Sequence, residues 1–192
     1  YDLWNNTMHR YVRRGSKGIA LLHNNAGQLS LRYVFDVSDT GTRRTSLDPF
    51  LWQINERNEP AIAAMLEQEY DVSAVHGLHF QLAEIAQRQA SAYWQDHQQD
   101  VFRIVDGSFL EEYDEINVRE SFRRATSISV CYTLQARCGL DVDSQFEHED
   151  FLNVFDWNTP DAVAVLGTAI SQISGQVLRQ IETIAKHVER SV

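Results

Sequence analysis

The sequence is sparing with the residues that staple, break or anchor a chain. It has two cysteines in 192 residues, Cys131 and Cys138, and both fall on one expected helix. Seven residues at about 1.5 Å rise each set them roughly 10.5 Å apart, beyond the reach of a disulfide. A disulfide framework and a cysteine-based zinc site are therefore excluded, and the composition suits a reducing cytoplasm. There are three prolines and no low-complexity stretch, which argues against a proline-rich linker architecture. No apolar run approaches the roughly 18 residues that a membrane-spanning helix needs. No charged stretch followed by an apolar core reads as a secretory signal. We expect a cytoplasmic protein with no membrane partner.

Basic residues are also scarce, but only in part of the chain. Residues 58–192 hold nine Lys/Arg against 22 Asp/Glu, a net of -13. Residues 1–57 hold eight against five, a net of +3, so the whole-chain charge of -10 hides a basic front segment. Hydrophobic residues make up 43% of the sequence, which rules out a disordered chain. The opening Tyr1-Asp2-Leu3-Trp4 reads as the inside of a helix. From it we expect a piece of a longer polypeptide, with part of the first element missing and other domains of that polypeptide as neighbours.

The local pattern divides the chain the same way. Residues 1 to about 12 read as helix, and Arg13-Arg14-Gly15-Ser16-Lys17-Gly18 as a turn whose glycines tolerate positive φ. Strands are expected over 19–23 and 29–37, joined by the tight connection 24–27 in an antiparallel hairpin. A polar loop with Arg43 and Arg44 follows. From Pro60, tolerated at a first helical position, the pattern is helical. A long helix over about 77–104 buries Leu78, Leu82, Ile85, Ala86 and Tyr93 and ends before Gly107. Ser108 and Glu111 carry the spacing of a capping box. The next helix runs to Gly139, with Phe122, Ala125, Ser129, Tyr132 and Ala136 along one stripe. A short helix lies near 149–157, and Thr159-Pro160 opens a last one to about 189. The expected fold is α+β and predominantly helical: a basic front segment, 1–57, with a small antiparallel β-hairpin, then an acidic all-α body, 58–192, of about five helices.

Two stretches resemble a known family. Residues 10–22, RYVRRGSKGIALL, and 32–40, RYVFDVSDT, are similar to the N-terminal domain of ArdC-like antirestriction proteins. Across nearly the whole chain, YDLWN, RYVRRGSKGIAL, IVDGSFLEEYDE, RCGL, FEHEDF and NTP resemble one branch of that group. This branch forms the front part of large helicase and DNA-methylase polypeptides on conjugative elements of Gram-positive bacteria. The resemblance implies single-stranded DNA binding by the first domain, with Arg10, Arg13, Arg14 and Lys17 as the DNA contacts. Arg43 and Arg44 lie outside the matched motifs and join the candidates on charge alone. Trp4, Tyr11 and Tyr33 are candidates to stack on bases, with Trp4 expected in a core instead.

The family's helical domain is metallopeptidase-like, and here the sequence departs from it. His-Glu-x-x-His places two imidazoles one turn apart around zinc, beside a general-base glutamate. The one His-Glu pair, His148-Glu149, is followed by Asp150, Phe151 and Leu152, so the second histidine is missing. His76 and His79 stand three apart with no third ligand, and the carboxylates of 111–115 suit a helix N-terminus. No phosphate loop, dinucleotide motif or nucleophile motif occurs. We expect no catalysis, no metal and no cofactor, and a DNA-binding module of a mobile-element polypeptide. The competing expectations are an acidic body that mimics DNA or serves as an interaction scaffold in antirestriction, and a vestigial metalloenzyme.

Overall fold

The computed structural model describes residues 2–25, 28–49 and 51–191. The chain forms two compact units, Tyr1–Leu51 and Trp52–Val192. The first holds seven Lys/Arg against four Asp/Glu, net +3, and the second ten against 23, net -13. Trp52 is 4% exposed in the core of the helical unit, so the 52–57 stretch joins the helices.

The front unit is less helical than its sequence suggests. A single π-helical turn spans Leu3–Thr7, and β1, Tyr11–Val12, lies where helix was expected. His9 sits at φ +53 and turns the chain out of the helix. Asn5, Asn6 and Thr7 are weak helix formers, so nothing opposes that exit. The hairpin of β2, Ile19–Asn25, and β3, Gln28–Val34, is antiparallel, with Ile19 opposite Val34 and Leu22 opposite Leu31. The centre of the expected 24–27 connection, residues 26 and 27, lies outside the described residues.

The expected second strand over 29–37 stops early because Asp36 starts a 3₁₀ turn, Val37–Asp39. Its carboxylate accepts from Ser38 N at 2.8 Å, while Asp39 accepts from Asp36 N at 3.2 Å. The Ser38 side chain and amide together hold the Asp36 carboxyl below its ordinary value of 3.8. The Phe-Asp-Val-Ser-Asp stretch is thus a turn with its own cap. Out of it comes β4, Thr40–Gly41, which pairs antiparallel with β1.

The second unit is all helix: α1, Glu59–Tyr70; α2, Leu78–Arg103; α3, Glu115–Arg137; a 3₁₀ turn, His148–Val154; and α4, Pro160–Arg190. α4 starts on Thr159, whose hydroxyl accepts from Ala162 N at 3.2 Å. Its seam of Leu166, Ala169, Ile173, Val177, Ile181 and Ala185 is buried throughout. Two apolar clusters fill the unit, one around Ile62, Leu82, Leu134 and Ile181, the other around Leu110, Phe122, Trp157 and Leu166.

Two expectations about this unit need correction. Phe122 and Ala125 are buried, but Tyr132 is 41% exposed and Ala136 is also exposed. The buried positions instead step by four, through Val118, Phe122, Thr126, Val130, Leu134 and Cys138. Four residues overshoot a 3.6-residue turn, so the seam winds around the helix. It must, because α3 packs into one cluster with its first half and the other with its second. The second correction concerns Ser108 and Glu111, where no helix begins. Their side chains close a loop, Ser108 Oγ accepting from Leu110 N at 3.1 Å and Glu111 from Gly107 N at 3.1 Å. Asp114 makes the helix cap, accepting from Asn117 N at 2.8 Å.

Candidate nucleic-acid interface

The basic turn hangs from the 3₁₀ turn by its backbone. Arg13 N donates to Asp39 O at 2.8 Å, and Ser16 Oγ donates to the same carbonyl at 3.2 Å. Ser16 N closes the turn on Arg13 O at 3.2 Å. Gly15, at φ +90, faces open space and takes a conformation that L side chains avoid. Arg13, Arg14 and Lys17 are exposed, and no carboxylate pairs with them among the described residues. Fixed backbone with solvated cations on either side of an open glycine is the arrangement an anionic backbone can approach.

An aromatic side chain adjoins this turn. A Cβ on Gly18 would lie 3.1 Å from Tyr33 Cβ and 3.0 Å from the Phe35 ring, so the chain after Lys17 runs directly against β3. Phe35 is half-buried there, and Tyr33 is 53% exposed. Arg32, beside it in sequence, is exposed too. Period-two alternation puts Arg32, opposite Leu21, on the other face of the hairpin from Tyr33, opposite Ala20. Ile19, Leu21 and Leu31 are also largely exposed, so among the described side chains both faces of the hairpin meet solvent.

The other predicted contacts lie elsewhere. Arg10 is 8% exposed. Its Nε donates to Thr40 Oγ1 at 2.8 Å and its Nη1 lies 3.4 Å from Asp48. Asp48 is almost fully solvated, so the pair itself contributes little, and the buried bond to Thr40 does most of the holding. Arg43 donates to Asn5 Oδ1 at 3.2 Å and lies 5.6 Å from the centre of the Tyr11 ring. Arg44 is exposed. The β1–β4 ladder pairs Tyr11 with Gly41 and Val12 with Thr40, which puts Arg13 at one end and Arg43 and Arg44 past the other. Trp4 is half-buried and donates to Phe35 O at 2.9 Å, a structural placement.

The role of Arg10 is directly measurable. Arg10→Ala removes a charged hydrogen bond within the unit and is expected to cost about 1.5–3 kcal/mol. Thermal melting of the variant checks this, and a stability equal to that of the parent would mean that the Thr40 bond holds nothing.

No family model, curated protein or solved structure matches this chain. The interface therefore rests on its own geometry. In the helical unit, His148 and Glu149 are exposed on the 3₁₀ turn, and among the described residues no group of three or more His, Cys, Asp or Glu is placed to hold a metal. No described helix is long and apolar enough to cross a membrane. A cavity of about 210 Å³ between α2 and α3 is lined by His79, Cys131, Gln135 and Phe146 among others. Gln135 joins His79 to Cys131, its carbonyl 3.0 Å from His79 Nδ1 and its amide 3.2 Å from the thiol.

Burial pushes the Cys131 thiol up to about 11 and the Cys138 thiol up to about 12. Both stay protonated at pH 8 and are inert. A thiol reagent at pH 8 is expected to modify neither in the folded protein and both after denaturation. Because the folded values lie above the ordinary 9.0, their contribution to stability is complete below pH 9 and is lost between pH 9 and about 12.

Proposed function

We propose that the front unit is a non-catalytic nucleic-acid contact that engages single-stranded DNA within a larger mobile-element polypeptide. The observation that carries this reading is the trio of exposed cations Arg13, Arg14 and Lys17 around Gly15, without a carboxylate partner among the described residues, with Tyr33 exposed beside the same turn. Cations supply the sequence-independent grip on phosphates, and an exposed aromatic ring supplies the platform on which an unpaired base stacks. The likeness of residues 10–22 and 32–40 to ArdC-like N-terminal domains points the same way. Arg32 stays outside the proposed surface, because it stands opposite Leu21 on the other hairpin face from Tyr33, which stands opposite Ala20. Arg10 leaves it, because its guanidinium holds the unit together. Arg43 and Arg44 form a second, separate basic position.

Fluorescence anisotropy with a labelled oligonucleotide tests the reading, read against the same sequence as a duplex. Single strands are expected to bind more tightly, with affinity falling as salt rises, and Tyr33→Ala is expected to reduce the preference. Absence of binding at low salt would overturn the proposal. Tighter duplex binding would reassign the hairpin as a groove-inserting ribbon.

A further inference from the structure

The cavity between α2 and α3 is organised by a buried amide. Gln135 is wholly buried, and burying an amide is costly unless its donors and its acceptor find partners. Its nitrogen donates to His79 O at 3.3 Å and to the Cys131 thiol at 3.2 Å. A carbonyl only accepts, so the amide cannot be turned around, and its oxygen must face His79 Nδ1, 3.0 Å away. Two acceptors do not bond each other. Nδ1 therefore carries the proton of the neutral imidazole and donates it, which leaves Nε2 as a bare acceptor. Among the described residues Nε2 has no hydrogen-bond partner. A fully satisfied buried network of this kind fixes the orientation of the ring it holds.

The rest of the cavity wall is uncharged. No Lys, Arg, Asp or Glu lines it, in a unit that carries ten basic and 23 acidic residues. An ion would enter without a counter-charge, so the wall selects a neutral occupant. Gln87 and Gln145 contribute amides and Ser127 a hydroxyl. Phe146 contributes an aromatic wall, braced by Tyr132 and Phe151 with ring centres 5.4 and 6.1 Å away. An acceptor nitrogen beside side-chain amides suits a ligand edge that sets N–H next to C=O, the pattern by which glutamine reads a base. The ring of Phe146 suits the flat face of such a ligand. A cavity of about 150 Å³ takes a benzene-sized ring, so one of about 210 Å³ takes a six-membered ring with its polar substituents.

We propose that this cavity binds a neutral six-membered cyclic amide of the pyrimidine-base type, with His79 Nε2 accepting a ligand N–H and Gln135 as the positioning residue that keeps that nitrogen free. The site lies within the helical unit and does not depend on the nucleic-acid contact of the front unit.

The test titrates the full chain with uracil and with uridine at pH 8 and follows the imidazole nitrogens by ¹⁵N NMR. The His79 signals, identified by their loss in His79→Leu, are expected to show a protonated Nδ1 and a bare Nε2, and millimolar uracil is expected to shift Nε2. A shift by both probes makes the occupant the base of a nucleoside, and a shift by uracil alone makes it a free base. Gln87→Leu changes an exposed helix position, so it is expected to melt with the parent and to weaken uracil about tenfold. Gln135→Leu is expected to release His79 into mixed tautomers, a signature that a merely structural role would not produce. A protonated Nε2 in the parent, or His79 signals unmoved at about 10 mM uracil, would overturn the proposal. So would toluene binding as tightly as uracil, since the cavity would then be an apolar void.

Discussion

Reversing Arg13, Arg14 and Lys17 to glutamate together is expected to weaken binding to single-stranded DNA at least about tenfold and to flatten its salt dependence. Each single-strand phosphate contact contributes roughly 0.7 to the slope of log affinity against log salt. Losing three contacts should therefore reduce that slope by about 2. The fold should survive, since all three side chains are exposed and unpaired among the described residues and the turn is tied down by backbone groups of Arg13 and Ser16. Circular dichroism of the variant separates a lost contact from a lost fold. The matching reversal of Arg43 and Arg44, at the far end of the β1–β4 ladder, is expected to have the smaller effect. An unchanged affinity and slope in the triple variant would remove the basic turn from the function.

The largest effect on stability is expected from Trp157→Ala. Trp157 is 1% exposed and packs edge-on to Phe122, ring centres 5.4 Å apart. Its indole N–H donates to Ser121 Oγ at 3.3 Å, so the polar tip is satisfied inside the core. Truncation removes the buried ring, opens a cavity among Leu110, Val118 and Leu166, and leaves Ser121 without that partner. The expected loss is about 3–5 kcal/mol, a fall in melting temperature on the order of 10 °C. Phe155→Ala, on a ring 57% exposed only two residues away, should change stability by no more than about 0.5 kcal/mol. Chemical denaturation of the two variants checks the contrast, and similar losses would mean that the second cluster does not hold the unit.

Much of the helical unit was legible in its residues because helix physics is local. Leu78, Leu82, Ile85 and Ala86 repeat at helical spacing and are buried in α2. Thr159-Pro160 and Gly139, at φ +75, mark helix ends where they were expected. The expectations failed where a partner decided. The stripe of α3 follows a different row beyond Ala125 because two clusters compete for one helix. Ser108 and Glu111 have capping spacing, yet burial of Leu110 draws that segment into a loop. In the front unit, Tyr11–Val12 is a strand because Thr40–Gly41, some thirty residues on, completes its ladder.

The candidate interface divides in the same way. Sequence alone determined that a basic segment precedes an acidic helical one, that Gly15 lies among cations, and that the thiols cannot pair with each other. These follow from composition, spacing and backbone sterics, which need no distant neighbour. Only the tertiary structure decided which cations are free to act. Arg10 and Arg13 belong to the same stretch, yet the buried bond to Thr40 holds Arg10 inside the unit while Arg13 remains in water. Only the tertiary structure, too, set Phe109 outside and Leu110 inside. A side chain's exposure depends on the elements that fold against it, and adjacent residues in one loop meet different ones.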